Sequence, residues 1–336
     1  MLRSWRGPLN QNAVTGAPGL TAILLFVPSL LIGGPPRACA APPAYTLAAR
    51  VRAGYRPEIS VRVNGVGPFW CTLDSSAGRD FVVDTAIGKA AGFRPTSLGR
   101  SFGEGPDSNV DEITSGATLQ VDKLRLPHQR IRMHSLEDGC IFGTKLLDRF
   151  VVEIDYLTPE IRLFAADGYL PPARAVKLPL AFDGTGRPMV ATRLLLQARD
   201  ELTAQLLLDT AVAEYALSLS KVFTDKQQIL KRVRSVIRPP FQAHSGGNID
   251  LLATRIARLS LGSIGVSNPV VILFRTVSAA PGSLQDGLLG SGFLHRFLVA
   301  IDVPGASLYL TPNRTYDDPA PQWWWSAALP LLPARQ

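Results

Sequence analysis

Over residues 59–65 the chain reads ISVRVNG, apolar and polar side chains alternating into an Asn-Gly pair, and over 68–74 it reads PFWCTLD. Two such runs about an Asn-Gly turn predict a β-hairpin. The same order returns later, as MVATRLLLQ (189–197), a short polar turn at Arg199 and Asp200, and AQLLLD (204–209). The aspartates that end these hairpins, Asp74 and Asp209, are each followed by small residues and a short helical stretch. Asp84 is placed to cap the first helix and Gly92 to end it, and Ser218 or Ser220 is placed to cap the second. Alternating strands follow at ATLQVDKLRL (117–126) and ATRIARLSLG (253–262). The pattern predicts an all-β chain with short helices.

The two halves also match residue by residue. FGTKLLDRFVVEIDYLTPEIRLF (142–164) and LGSGFLHRFLVAIDVPGASLYLT (289–311) align at a constant offset of 147, pairing Gly143 with Gly290, Leu147 with Leu294, Arg149-Phe150 with Arg296-Phe297 and Ile154-Asp155 with Ile301-Asp302. At an offset of 135, Asp74 answers to Asp209, and Leu124 and Leu126 answer to Leu259 and Leu261. The second half therefore carries about 12 extra residues between its middle and its end, read as a loop insertion. One module present twice predicts two homologous lobes, 41–170 and 171–315, meeting near Pro171-Pro172 and followed by a Trp-rich tail, 316–336.

Composition agrees with this picture and narrows the function. At 336 residues, 46% hydrophobic and only 18% charged, the chain is globular and long enough for two cores. Its first 40 residues have the form of a secretory signal: Arg3 and Arg6, an apolar run from Leu20 to Ile32, then Ala38-Cys39-Ala40 as a small-x-small site, so that the mature chain would begin at Ala41. The alternative is an uncleaved membrane anchor, but Pro28 interrupts the run, which is shorter than the roughly 20 residues of a span. Pro36 stands where a lipoprotein signal has an aliphatic residue, which argues against lipidation of Cys39. An exported protein, periplasmic or secreted, is expected.

Loss of residues 1–40 leaves 32 basic and 27 acidic residues, a mild excess with no basic patch interleaved with aromatics, so nucleic-acid binding has no support. His128, His134, His244 and His295 show no metal-ligand spacing, and neither a metal nor another cofactor is expected. Cys71 and Cys140 remain after cleavage, either as one disulfide or as two buried thiols.

Each half places an apolar strand ending in Asp-Ser/Thr some 70–80 residues before an apolar-apolar-Gly run. Leu73-Asp74-Ser75 leads to Ile141-Phe142-Gly143, and Leu208-Asp209-Thr210 leads to Leu288-Leu289-Gly290. In these motifs and their order, across roughly residues 45–312, the chain resembles the bilobed retropepsin-like and pepsin-like aspartic peptidases, and within them the exported bacterial aspartyl protease group. The resemblance implies two closed β-barrel lobes with a cleft between them. It implies Asp74 and Asp209 as the catalytic carboxylates, Ser75 and Thr210 as cross-lobe locks, and Gly143 and Gly290 on strands that back each aspartate. It also sets Cys71 and Cys140 side by side, where a disulfide would join them. The family motif is Asp-Thr/Ser-Gly, and this chain has Ser76 and Ala211 at the glycine position. There glycine lets substrate backbone approach and its amide bonds the carboxylate, so Ser76 is expected to crowd the floor of the cleft, the alternative being that it hydrogen-bonds Asp74 and tunes its pKa. No flap tyrosine is identifiable, the candidate flaps being Gly103 to Ser108 and Ala243 to Asn248.

Two carboxylates held close cannot both ionise readily, and the pair shares a proton for acid–base work on a bound water. That chemistry needs neither a nucleophilic side chain nor a metal. Asp155 and Asp302 also recur, but each precedes a turn and is assigned to structure, with Arg149 and Arg296 bracing the same segments. Trp323-Trp324-Trp325 is expected to fold back on the body, the alternative being an anchor to a membrane interface or a partner. The reading is a monomeric endopeptidase acting on a peptide or protein. The alternatives are a peptide-binding relative without turnover and a structural envelope protein.

Overall fold

The expected hairpins form where the alternation placed them, with Asn64 and Gly65 at positive φ (49° and 83°) closing the first. The structure, a computed structural model, describes residues 41–103, 106–137, 139–212, 215–242, 248–278 and 286–319. The expected leader (1–40), the Trp323–Trp325 cluster and the tips of the two candidate flaps (104–105 and 243–247) lie outside the described residues.

The first half contributes β1 (Tyr45–Arg52), β2 (Arg56–Val63), β3 (Val66–Leu73), β4 (Phe81–Asp84), α1 (Thr85–Ala90), β5 (Ser97–Phe102), β6 (Ser108–Val121), β7 (Leu124–His134), β8 (Cys140–Phe142), β9 (Val151–Asp155) and β10 (Glu160–Phe164). The second contributes β11 (Val176–Pro179), β12 (Ala181–Phe182), β13 (Pro188–Gln197), β14 (Asp200–Leu208), β15 (Leu217–Leu219), α2 (Lys221–Lys226), β16 (Ser235–Gln242), β17 (Asn248–Arg255), β18 (Arg258–Leu261), β19 (Ile264–Ser267), β20 (Val270–Phe274), β21 (Gly287–Leu289), α3 (Ser291–Leu294), β22 (Phe297–Asp302) and β23 (Ser307–Pro312). The chain is mostly β with a few short helices.

Strand alternation buries one face of each hairpin. Ile59, Val61 and Val63 of β2 are in the core while Arg62 between them is exposed. In the first half the strands lie in the order β2-β3-β8-β4-β7-β6-β5, and in the second β13-β14-β21-β15-β20-β17-β16. In each case a late strand, β8 or β21, inserts parallel to the one that ends at the aspartate. A further pairing of β2 with β6, at Arg62↔Gln120 and Val63↔Leu119, returns the first series upon itself. Cys71 and Cys140 fall side by side on β3 and β8 and are joined by a disulfide. It spans a sequence separation of 69, a loop whose closure is worth about 4 kcal/mol.

Asp84 caps α1 by accepting the Ala86 amide, and Gly92 follows at φ 75°. Of the two candidate caps for α2, Ser220 takes the role, its Oγ accepting the Phe223 amide, while Ser218 lies inside β15.

The halves join through β9 and β22, which pair antiparallel with Val151 opposite Asp302 and Asp155 opposite Leu298. These equivalent residues exchange places across the pair, so the register has two-fold symmetry. β10 and β1 extend this sheet on one side, and β23 and β11 on the other. Asp155 accepts the amides of Leu157 and Thr158, and Asp302 that of Gly305, so both close turns. Buried Arg296 donates to the carbonyls of Thr315, Tyr316 and Asp318 and holds the C-terminal segment down. Arg149 instead lies over the Phe150 ring.

The extra residues of the second half are not one loop. β7 pairs in parallel with β4 through Phe81↔Ile131, and β20 takes that place beside β15 through Leu217↔Val271. The β18–β19 hairpin, with Leu259 opposite Val266, answers to the turn between β6 and β7, where Leu119 is opposite Leu126. The extra residues therefore fall before this hairpin and in the longer connection from β20 to β21. The insertion is thus split to either side of a strand that had to stay in register.

Candidate active site

Asp74 and Asp209 stand just past the ends of β3 and β14, held by the inserted strands. The Asp74 amide donates to the Phe142 carbonyl (2.9 Å) and the Asp209 amide to the Leu289 carbonyl (3.0 Å). Gly143 and Gly290 follow those carbonyls. A Cβ on Gly143 would fall on the Gly78 carbonyl oxygen, far inside van der Waals contact, and one on Gly290 would meet the Tyr215 oxygen at 2.8 Å. The apolar-apolar-Gly run therefore needs its glycine so that the strand can pass close behind the loop carrying the aspartate.

Beyond each aspartate the chain turns back, and two consecutive amides point at one carboxyl oxygen. Asp74 Oδ1 accepts from Ser76 N (2.7 Å) and Ala77 N (3.0 Å), and Asp209 Oδ1 accepts from Ala211 N and Val212 N (2.8 Å each). Ser75 and Thr210 then clasp the two loops together. Ser75 N donates to Thr210 Oγ1 (3.0 Å) and Thr210 N to Ser75 Oγ (3.1 Å). The Ser75 hydroxyl donates to the Leu208 carbonyl (2.7 Å) and the Thr210 hydroxyl to the Leu73 carbonyl (2.6 Å). All four bonds cross between the halves and are buried, and each hydroxyl is both donor and acceptor. The clasp fixes the separation of the two carboxyl groups.

The Ser76 hydroxyl breaks the symmetry. Its Oγ lies 2.8 Å from Asp74 Oδ1 and 2.9 Å from Asp209 Oδ2, bridging the carboxyl groups. Ala211, its counterpart, has no hydroxyl to offer. Burial pushes the Asp74 carboxyl above its ordinary range, against the hydrogen bonds from Ser76 and Ala77 and the nearby charge of Arg187.

Two contributors were not legible in the chain. Arg187, just before β13, donates from Nη1 to the Ser76 carbonyl (3.3 Å) and is itself held by Asp183, Nε to Oδ2 at 2.8 Å. An arginine of the second half thus steadies the loop of the first. Tyr156, buried, lies near Asp209; burial and that negative charge push its hydroxyl well above its ordinary pKa. Arg187 lies in a polar turn without a repeat partner, and the repeat sets Val303 opposite Tyr156, so neither alternation nor the duplicated motif gives a signal for either.

At the β5–β6 hairpin, Leu98, Phe102 and Val110 are exposed. Its register, Arg100 opposite Val110 and Phe102 opposite Ser108, puts them on one face. Ser278 of the second half donates to the Gly103 carbonyl at the end of this hairpin (2.7 Å). Among the described residues, no three His, Cys, Asp or Glu side chains are grouped to hold a metal ion, and no helix is long and apolar enough to cross a membrane.

No protein-family model matches this chain. No curated protein matches its sequence. The fold does have counterparts among solved structures. The crystal structure of aspartic proteinase from Irpex lacteus is similar with a TM-score of 0.53 and 10% sequence identity, over 82% of this chain and 99% of that one. The chain has the fold of a pepsin-like aspartic proteinase, with two sheets that resemble the lobes of that fold.

Proposed function

We propose that this chain is an aspartic-type endopeptidase, exported behind residues 1–40, which hydrolyses peptide or protein substrates in a periplasm or outside the cell. Each lobe, read as a closed β-barrel, supplies one catalytic carboxylate. The observation that carries the reading is the meeting of Asp74 and Asp209, in matched amide cradles, on a single hydroxyl. The exposed apolar face of the β5–β6 hairpin suits an extended peptide with apolar side chains.

In the chemistry this geometry supports, the pair begins with one proton. The ionised carboxylate takes a proton from water as its oxygen attacks the scissile carbonyl carbon, and the protonated one gives its proton to the carbonyl oxygen. The tetrahedral diol then collapses. Its nitrogen receives a proton from the pair, one diol hydroxyl gives its proton back to the pair as the C–N bond breaks, and the pair is left singly protonated again. Arg187 favours the ionised form of Asp74, and burial favours the protonated form.

A second reading, a peptide-binding protein without turnover, is favoured by Ser76, whose hydroxyl stands where an attacking water would have to be activated. The test is incubation of the mature chain, residues 41–336, with a mixture of extended peptides at pH 3–7, reading new termini by mass spectrometry. Internal cleavage by the wild type and none by Asp209→Asn is the expected result. Capture of intact peptides with no new termini at any pH would replace the enzyme by the binding protein.

A further inference from the structure

The cradles of Asp74 and Asp209 match amide for amide, and the side chain at 76 against 211 is where they differ. Ser76 carries one hydroxyl proton and makes two contacts with carboxyl oxygens, at 2.8 and 2.9 Å. With both aspartates ionised, only one contact can be a hydrogen bond, and the other sets lone pairs against lone pairs. Both contacts are satisfied once one carboxyl carries a proton and donates it to Oγ. A water molecule in the same place could donate to two ionised carboxylates at once, which a serine hydroxyl cannot.

We infer that Ser76 is a built-in occupant of the water position: its hydroxyl keeps a proton on the Asp74–Asp209 pair and must swing away before water or a substrate hydroxyl can engage it. Ser76 acts through the aspartates and is a positioning residue, not a nucleophile. Its place is fixed from outside the pair, because Arg187, itself paired with Asp183, donates to the Ser76 carbonyl from the other half. Among the described residues, the charged or titratable groups around the bridge are Asp74, Asp209, Arg187 and Asp183, with Tyr156 close to Asp209. Burial also favours a proton on Asp74, against the hydrogen bonds that Asp74 itself accepts from Ser76 and Ala77.

The binding consequence rests on the peptide-cleft reading, whereas the titration consequence does not. Two probes separate them: an extended apolar peptide isostere with –CH(OH)–CH2– at the scissile position, and its –CH2–CH2– counterpart. In the wild type the hydroxyl should add no affinity, because Ser76 fills its place. In Ser76→Gly and Ser76→Ala it should improve affinity about tenfold or more, as expected for a hydrogen bond to a charged group. Discrimination by the wild type equal to that of the variants would overturn the inference, as would its absence in both variants.

Infrared titration of the carboxyl bands supplies the readout that needs no peptide. The higher of the two macroscopic pKa values of the pair should fall in Ser76→Ala and Ser76→Gly, where water can solvate both charges, and be kept in Ser76→Thr. Should neither isostere bind any form, the peptide cleft is wrong. The titration alone then decides for Ser76: a fall supports the bridge, and an unchanged value overturns it.

Discussion

Asp74 sits where its charged form is disfavoured, and this makes stability and function pull apart at one residue. Its folded-state pKa lies above the ordinary 3.8 because of burial. The folded chain therefore holds a proton that the unfolded chain has released, and stability falls as pH rises through the folded-state value. The destabilisation is complete above that value and absent below 3.8. Asp74→Asn removes the charge and keeps an oxygen for the amides of Ser76 and Ala77. It should raise the urea midpoint at pH 7 and leave it nearer the wild type at pH 3. An equal gain at both pH values would mean that desolvation of the carboxylate is not the cause. Asp111 behaves oppositely. Despite its burial, bonds from His134, Arg132 and Ser101 hold it below its ordinary value. Its contribution is present above 3.8 and is lost as pH falls through the folded-state value. Carboxyl infrared titration of Asp74→Asn and Asp111→Asn distinguishes the two groups.

The loops that follow β3 and β14 depend on one another, since neither can satisfy its own polar groups. Thr210→Val keeps the shape but leaves the Ser75 amide and the Leu73 carbonyl buried without their partner. Each such group costs about 1–3 kcal/mol, so a loss of roughly 2–4 kcal/mol is expected. Ser75→Ala, which strands the Thr210 amide and the Leu208 carbonyl, should cost about as much by symmetry. Denaturant titration of both variants checks this; a loss under about 0.5 kcal/mol in either would mean that water reaches the clasp. Much at this scale was legible from sequence. The hairpins, the aspartates, their Ser and Thr neighbours and the backing glycines recur in matched context, because each is dictated by backbone closeness or strand period. The contact of Ser76 with Asp209 was not legible. Its residue type allowed a side chain crowding the path of substrate or one bonding Asp74, and it bonds Asp74 and reaches Asp209 as well. A rotamer that spans the two halves of the chain depends on their docking, which no local pattern encodes. Arg187 escaped for the same reason, since its partner Ser76 is 111 positions away.

Across the whole molecule, the β9–β22 pair joins equivalent strands in a two-fold register and brings two matched loops to a common point. The arrangement resembles the lobes of a pepsin-like aspartic proteinase at an identity of 10%, so shape rather than sequence carries that similarity. The insertion in the second half is divided around β20, which shows where length could vary and where register could not. The account rests on Asp74 and Asp209 working as one acid–base unit across this join. The most direct test is a double-mutant cycle on peptide cleavage, comparing kcat/KM for the wild type, Asp74→Asn, Asp209→Asn and the double variant at the pH optimum. One carboxyl group cannot serve as both acid and base, so each single variant should lose about 10³-fold or more, and the double variant little beyond that. Losses that multiply, or a single variant that keeps most of its activity, would contradict a shared dyad.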